Sequence, residues 1–150
     1  MILLDTNVVS EPMRSKPDRN VLVWLDAQIA ESLYLATASL AELLFGIASL
    51  PAAKRRKALR AALDKQIIAL FGERIVPFDI GGAETYPEIV TRARRHGHLM
   101  AVADAQIAAI AASREFSVAT RDEAPFHAAG VAVINPWTAP PKAEPGVRHT

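Results

Sequence analysis

The sequence predicts an α/β fold, a three-layer sandwich with helices on both faces of a mostly parallel sheet. Three observations lead there. Short β-prone apolar runs alternate with longer stretches of helical periodicity. Alanine makes up nearly a fifth of the chain, which favours closely packed helices. The 150 residues, 51% hydrophobic and 22% charged, also have the size and composition of one globular domain.

Ile2-Leu3-Leu4 is the first short buried strand. Val21, Leu22, Leu25 and Ile29 recur at helical spacing between Asp18 and Ala30, and Pro17 suits the entrance to that helix. Ser32 to Ala36 is the second strand, and Ser39 to Ala48 a helix. Beyond Pro51 a longer helix, Ala52 to Leu70, carries Leu59, Leu63, Ile67 and Leu70 on one face and stops at Gly72. Arg74 to Phe78 is the third strand, with Pro77 marking its end or a sheet edge. Asp79 can cap a helix reaching His96, and Ala101 to Ser113 forms the next one. Phe116 to Ala119 and Val131 to Ile134 complete the strands. Prolines and polar residues without periodicity follow, so we expect one domain over 1–137 and a flexible tail over 138–150.

Several classes of function are excluded or weakened at once. With no cysteine there are no disulfides, thiolate metal sites or cysteine nucleophiles. Seventeen basic against 16 acidic residues leave a charge of +1, so a nucleic-acid partner must be argued from where the charges sit. Met1 to Asp5 has no basic leader region and meets a charge after three apolar residues. The longest apolar stretch, Leu99 to Ala112, is interrupted by Asp104 and Gln106 and is too short to span a bilayer. The expectation is a soluble, cytoplasmic protein with no membrane partner.

Four acids fall where such a fold exposes its ligand site, beyond the carboxyl ends of the strands. Asp5 follows the first strand, Glu42 lies in the first turn of the helix after the second, Asp104 starts the helix after Gly97, and Asp122 follows the fourth strand. Convergent carboxylates suit the hard cations Mg²⁺ and Mn²⁺, which take oxygen ligands and can present a water to a phosphodiester. Without a cation the cluster is unfavourable, since two carboxylates about 5 Å apart repel by roughly 3 kcal/mol at an effective dielectric near 20. Each acid also has a purely structural explanation. Asp5 can cap the turn Thr6-Asn7-Val8, and Ser39-Leu40-Ala41-Glu42 matches a capping box. Asp104 can complement a helix dipole, and Asp122 can be a solvated turn residue.

The basic residues form two clusters, Lys54 to Lys57 with Arg60, and Arg92, Arg94 and Arg95 with His96 and His98. They can steer a phosphate backbone toward an acidic centre or simply be solvated helix faces. Aromatics are only 6% of residues, so stacking along an extended strand has little support, and Trp24 and Trp137 read as core or interface residues. No two histidines have zinc-ligand spacing.

The opening Ile2 to Asn7, the helix start Ser39 to Leu43, the segment Ala103 to Ala108, and Ala119 to Asp122 running on to Phe126 resemble a PIN domain. Their order resembles the VapC toxins of bacterial toxin–antitoxin pairs, and Phe126 to Trp137 is similar to the FitB subgroup. The resemblance covers residues 1–137 and implies a PIN-like α/β/α fold and a Mg²⁺-dependent endoribonuclease, with Mn²⁺ as a substitute. It further implies a toxin of a type II pair, restrained by a cognate antitoxin, meeting DNA only through that antitoxin, and working as a homodimer. In-line attack of a metal-activated water on RNA is the implied reaction. Asp5, Glu42, Asp104 and Asp122 take the family's acidic positions, Asp5 and Asp104 as principal metal ligands, with Thr6, Ser39 and Thr120 in support. Glu123 adjoins Asp122 and either can face the metal, with the FitB subgroup favouring Asp122.

Two other readings remain. A phosphotransferase would use Asp5 as nucleophile, but Asn7 stands where its second acid belongs. A catalytically silent PIN-like module would serve a protein or DNA-bound complex, its acids being structural.

Overall fold

In the computed structural model, which describes residues 1–140, the chain runs β1 (Ile2–Leu4), α1 (Thr6–Ser10), α2 (Arg19–Asp26), β2 (Leu33–Ala36), α3 (Thr37–Ala48) and α4 (Ala53–Leu63). It continues through α5 (Ala69–Phe71), β3 (Ile75–Val76), α6 (Ile80–Arg95), α7 (Val102–Arg114), β4 (Ser117–Ala119), α8 (Glu123–Ala128) and β5 (Val133–Ile134). The five strands form one sheet in the order β3-β2-β1-β4-β5, and all four pairings are parallel. β1 is central, with Leu4 level with Leu35 on one side and Ala119 on the other.

Side-chain alternation along the strands makes the three layers. Leu3, Ala36, Val76 and Val118 face a core built with Ile89 and Ala93 of α6, Ile107 to Ala111 of α7 and Phe126 of α8. Leu4, Leu33, Leu35 and Ala119 face the other core, with Val8, Val21, Leu43, Leu63 and Ile67. The alanines of α7 let it lie close to α6 and to the sheet. Trp24 and Trp137 pack against the second core, as expected. No helix of the described residues is long and apolar enough to cross a membrane.

The local differences from expectation have physical causes. α3 starts at Thr37, straight off β2, so Ala36 is its cap residue and offers no side-chain hydrogen bond. Ser39 therefore lies inside the helix, the expected capping box does not form, and Glu42 sits in the second turn rather than the first. The expected 52–70 helix is α4 and α5 joined by a π-helical stretch, Asp64–Ile68. Gly72 ends it with φ of +51°, a conformation open to glycine. The third strand pairs only at Ile75–Val76, because Pro77 has no N–H to donate. Arg74, expected in that strand, donates instead to the carbonyls of Ala30, Leu33 and Leu70. Asp79 caps α6 as expected, accepting from the Gly82 N–H at 3.0 Å, and Asp18 caps α2, accepting from the Asn20 N–H at 2.8 Å. Of the expected tail, Thr138 and Ala139 bond back to the Asn135 carbonyl at 3.1 and 2.8 Å, and residues 141–150 lie outside the described residues.

Candidate active site

The carboxyl ends of β1, β2 and β4 point to one side of the sheet, and the site is assembled there. Asp5 leaves β1 and is 7% exposed. Its Oδ1 accepts from the Thr6 N–H at 2.8 Å, capping α1, while Oδ2 accepts from the Thr120 hydroxyl at 2.9 Å. Capping and membership of an acid cluster are thus compatible at this residue.

Thr120 is the first residue after β4 and is fully buried. A threonine hydroxyl has one proton and two lone pairs. The proton goes to Asp5, and the lone pairs accept from the Asp122 N–H at 3.1 Å and the Asn7 side-chain amide at 3.4 Å. Asn7 Oδ1 in turn accepts from the Arg121 N–H at 3.3 Å. One hydroxyl and one amide thereby tie the loop after β4 to the first turn of α1. Asn7 is the positioning residue that sequence reasoning missed; its only signal was the short motif Asp5-Thr6-Asn7.

Glu42 is exposed, and its Oε2 accepts from the Thr6 hydroxyl at 2.8 Å. Ser39, one turn earlier on α3, is fully buried, and its Oγ has no hydrogen-bond partner among the described residues. Asp104 lies in the first turn of α7 and is partly buried.

Electrostatics show which acids sense one another. Burial, and then the charges of Asp5, Asp122 and Glu42, push the Asp104 carboxyl up to about 6. Burial raises Asp5 as well, against the lowering effect of its bonds to Thr120 and Thr6, and Glu42 and Asp122 add to the rise. Asp5 and Asp104 thus each feel the charges of Glu42 and Asp122, and Asp104 feels Asp5 as well. Glu123 is engaged elsewhere: it accepts from the Asn135 amide at 2.9 Å and pairs with His127 at 3.4 Å, and these bonds lower its pKa. Of the two adjacent acids, Asp122 is the one that acts on the cluster.

The ion pairs among the described residues engage Glu11, Asp64, Glu88, Asp79 and Glu123, and none reaches the four clustered acids. An oxygen-only donor set without a cationic partner fits a hard divalent ion, and the orphaned Ser39 hydroxyl adds an unsatisfied oxygen nearby. As the side chains stand, no group of three or more acidic or histidine residues among the described residues is placed to hold a metal ion.

Fold and site together define a PIN domain, and the PIN domain family matches residues 2–131. The chain belongs to that family. Within it, the chain is 45% identical over 137 residues to the VapC ribonuclease Y4jK of Sinorhizobium fredii, covering 91% of this chain and 98% of the relative. It is 47% identical over 137 residues to Toxin FitB of Neisseria gonorrhoeae, covering 91% and 99%. The solved structure of FitAB bound to an IR36 DNA fragment superposes with a TM-score of 0.89 at 45% identity, over 93% of this chain and 98% of that one.

Proposed function

We propose that this PIN domain is a metal-dependent endoribonuclease and the toxin of a type II toxin–antitoxin pair. The observation that carries the reading is the gathering of Asp5, Glu42, Asp104 and Asp122 at one end of the sheet, with no ion pair to any of them among the described residues. Asp5 and Asp104 would hold Mg²⁺ or Mn²⁺, with Glu42 and Asp122 completing the shell directly or through water. When bound, the ion supplies Lewis-acid activation of a water and neutralises charge on the phosphodiester. The protein's own contribution is orientation. Thr120 aims Asp5, Thr6 aims Glu42, and Asn7 fixes the loop that carries Asp122.

The partners follow from the relatives: FitAB is a complex that binds a DNA fragment. By that likeness, this chain would be held inactive in the cytoplasm by a cognate antitoxin and would meet DNA only through it. An Arg-bearing antitoxin segment over the cluster would do so, since a guanidinium can engage carboxylates bidentately. Leu99 and Val102, 85% and 65% exposed, supply apolar surface that a second copy would cover in a homodimer. The nuclease domain would span 1–137.

The test is the purified protein on defined RNAs, with and without Mg²⁺ or Mn²⁺, mapping the cut ends. Cleavage should require metal, vanish in Asp5→Asn, and be suppressed with growth arrest when the neighbouring antitoxin is co-expressed. A free protein that is harmless and cleaves nothing with either metal would overturn the reading.

A further inference from the structure

A groove of about 360 Å³ opens beside the acid cluster, between α1, α3 and α4. Thr6, Glu42, Arg14 and Arg55 are in its lining, and Leu43, Ile47 and Leu59 contribute apolar surface. The structure sorts the basic run of α4 by role. Arg56 donates to the carbonyls of Leu50 at 2.6 Å and Pro51 at 3.1 Å, and Arg60 pairs with Asp64 at 3.1 Å. Arg55 is exposed and has no hydrogen bond or ion pair among the described residues. Arg14 has a side chain 62% exposed and uses one Nη on Glu11 at 3.3 Å.

An acidic centre repels a polyanion, so a strand that enters it needs cations close by. A guanidinium offers a planar fork matched to phosphate oxygens. Unpaired bases have apolar faces that rest on apolar side chains without being read at their edges. The groove has both features, is of a size that takes a small ligand, and runs up to Glu42. We propose that it is the nucleotide subsite beside the cleavage point. One base of single-stranded RNA lies on Leu43, Ile47 and Leu59, and Arg55, with Arg14, holds the adjoining phosphate. The assignment rests on the ribonuclease reading and extends it to the path of the strand.

Arg55→Ala and Arg55→Lys test it, because Arg55 is exposed and its loss leaves the core intact. Both are compared with the unaltered chain in two assays on one defined oligoribonucleotide: metal-dependent cleavage, and binding by fluorescence anisotropy in chelator across a salt series. Arg55→Ala should raise KM about tenfold, with kcat much less affected, as expected for loss of a charge-assisted contact. It should also flatten the slope of log Kd against log salt by about 0.7, the value for one phosphate contact on a single strand. Arg55→Lys should recover the slope and only part of the KM. Unchanged KM and slope in Arg55→Ala would overturn the subsite. Unchanged RNA kinetics with weakened inhibition by the antitoxin would also overturn it, assigning the groove to the protein partner. If the unaltered chain cleaves no RNA, the ribonuclease reading fails, and the anisotropy series still judges the groove.

Discussion

The Thr120 hydroxyl donates to Asp5 Oδ2 at 2.9 Å, joining the loop after β4 to the loop after β1 through a fully buried atom. Thr120→Val keeps the shape but leaves Asp5, Asn7 and the Asp122 N–H short of a partner. It should cost about 1–3 kcal/mol in denaturant melts. Cleavage should fall roughly 10–100-fold, the usual loss when a partner of a metal ligand is removed. Thr120→Ser should behave nearly as the unaltered chain; equal loss in both would mean the methyl group, not the hydroxyl, matters.

Asp104→Asn tests the shared site through stability. The Asp104 carboxyl titrates at about 6 in the folded protein against 3.8 for the free group, so the folded chain binds its proton more tightly. As pH rises from about 4 to above 6 the unfolded state ionises first, and stability falls. In chelator, Asp104→Asn should therefore match the unaltered chain at pH 4 and exceed it at pH 7. Mg²⁺ at a hundredfold excess over Kd should stabilise the unaltered chain by about 2.7 kcal/mol and the variant much less. Cleavage by the variant should collapse. If Asp104 only complements the α7 dipole, its loss costs about 0.3–1 kcal/mol with or without metal.

Asp122→Asn and Glu123→Gln separate the adjacent acids. Asp122→Asn should lower the pKa of Asp104, seen by carboxyl-carbon NMR, and reduce cleavage. Glu123→Gln should leave both nearly unchanged and lower stability by about 1 kcal/mol through its bonds to Asn135 and His127. The reverse pattern would put Glu123 at the cluster.

Gly130→Ala probes a close approach far from the acids. Gly130 has φ of +76°, and a Cβ there would lie 2.4 Å from Arg92 Nη1 and 2.9 Å from its Cδ. The left-handed backbone alone costs about 1–2 kcal/mol. Adding Arg92→Ala should recover the steric part and leave the backbone part, which a double-mutant cycle by thermal melts measures.

Truncation after Pro140 should leave the melting temperature and the metal-dependent rate nearly unchanged. Truncation after Trp137 removes the Ala139 bond to Asn135, a residue that also binds Glu123, and a small loss is expected there. A large loss of either quantity on removing 141–150 would show that the tail docks on the domain.

The strand order was not written in the sequence, but the alternation of strands and helices was, and so were the acids at the strand ends. Asp5, Asp104 and Asp122 were legible because each follows a clear break in pattern. Glu42 was legible as a residue but misplaced by a turn, since a capping box looks the same whether or not the helix has already begun. α1 and α8 escaped because five- and six-residue helices are too short to show a period. Asn7 escaped because its contacts lie 113 and 114 positions away, and no local pattern encodes them. The FitB resemblance already favoured Asp122 over Glu123, but the physical reason, the Asn135 amide that holds Glu123, depends on where β5 ends and has no local signal.

Thr120 follows Asp5 by 115 positions, so the order of synthesis separates the two halves of the site in time. At translation speeds of about 5–20 residues per second, Asp5 waits roughly 6–23 seconds for its partner. Throughout that interval the central strand lacks its β4 neighbour, and neither Asp104 nor Asp122 is present for most of it. A chain cut short anywhere before Thr120 lacks the hydroxyl that holds Asp5. On the ribonuclease reading, cutting activity therefore waits until synthesis has passed Asp122, and the message being read meets no assembled site before then.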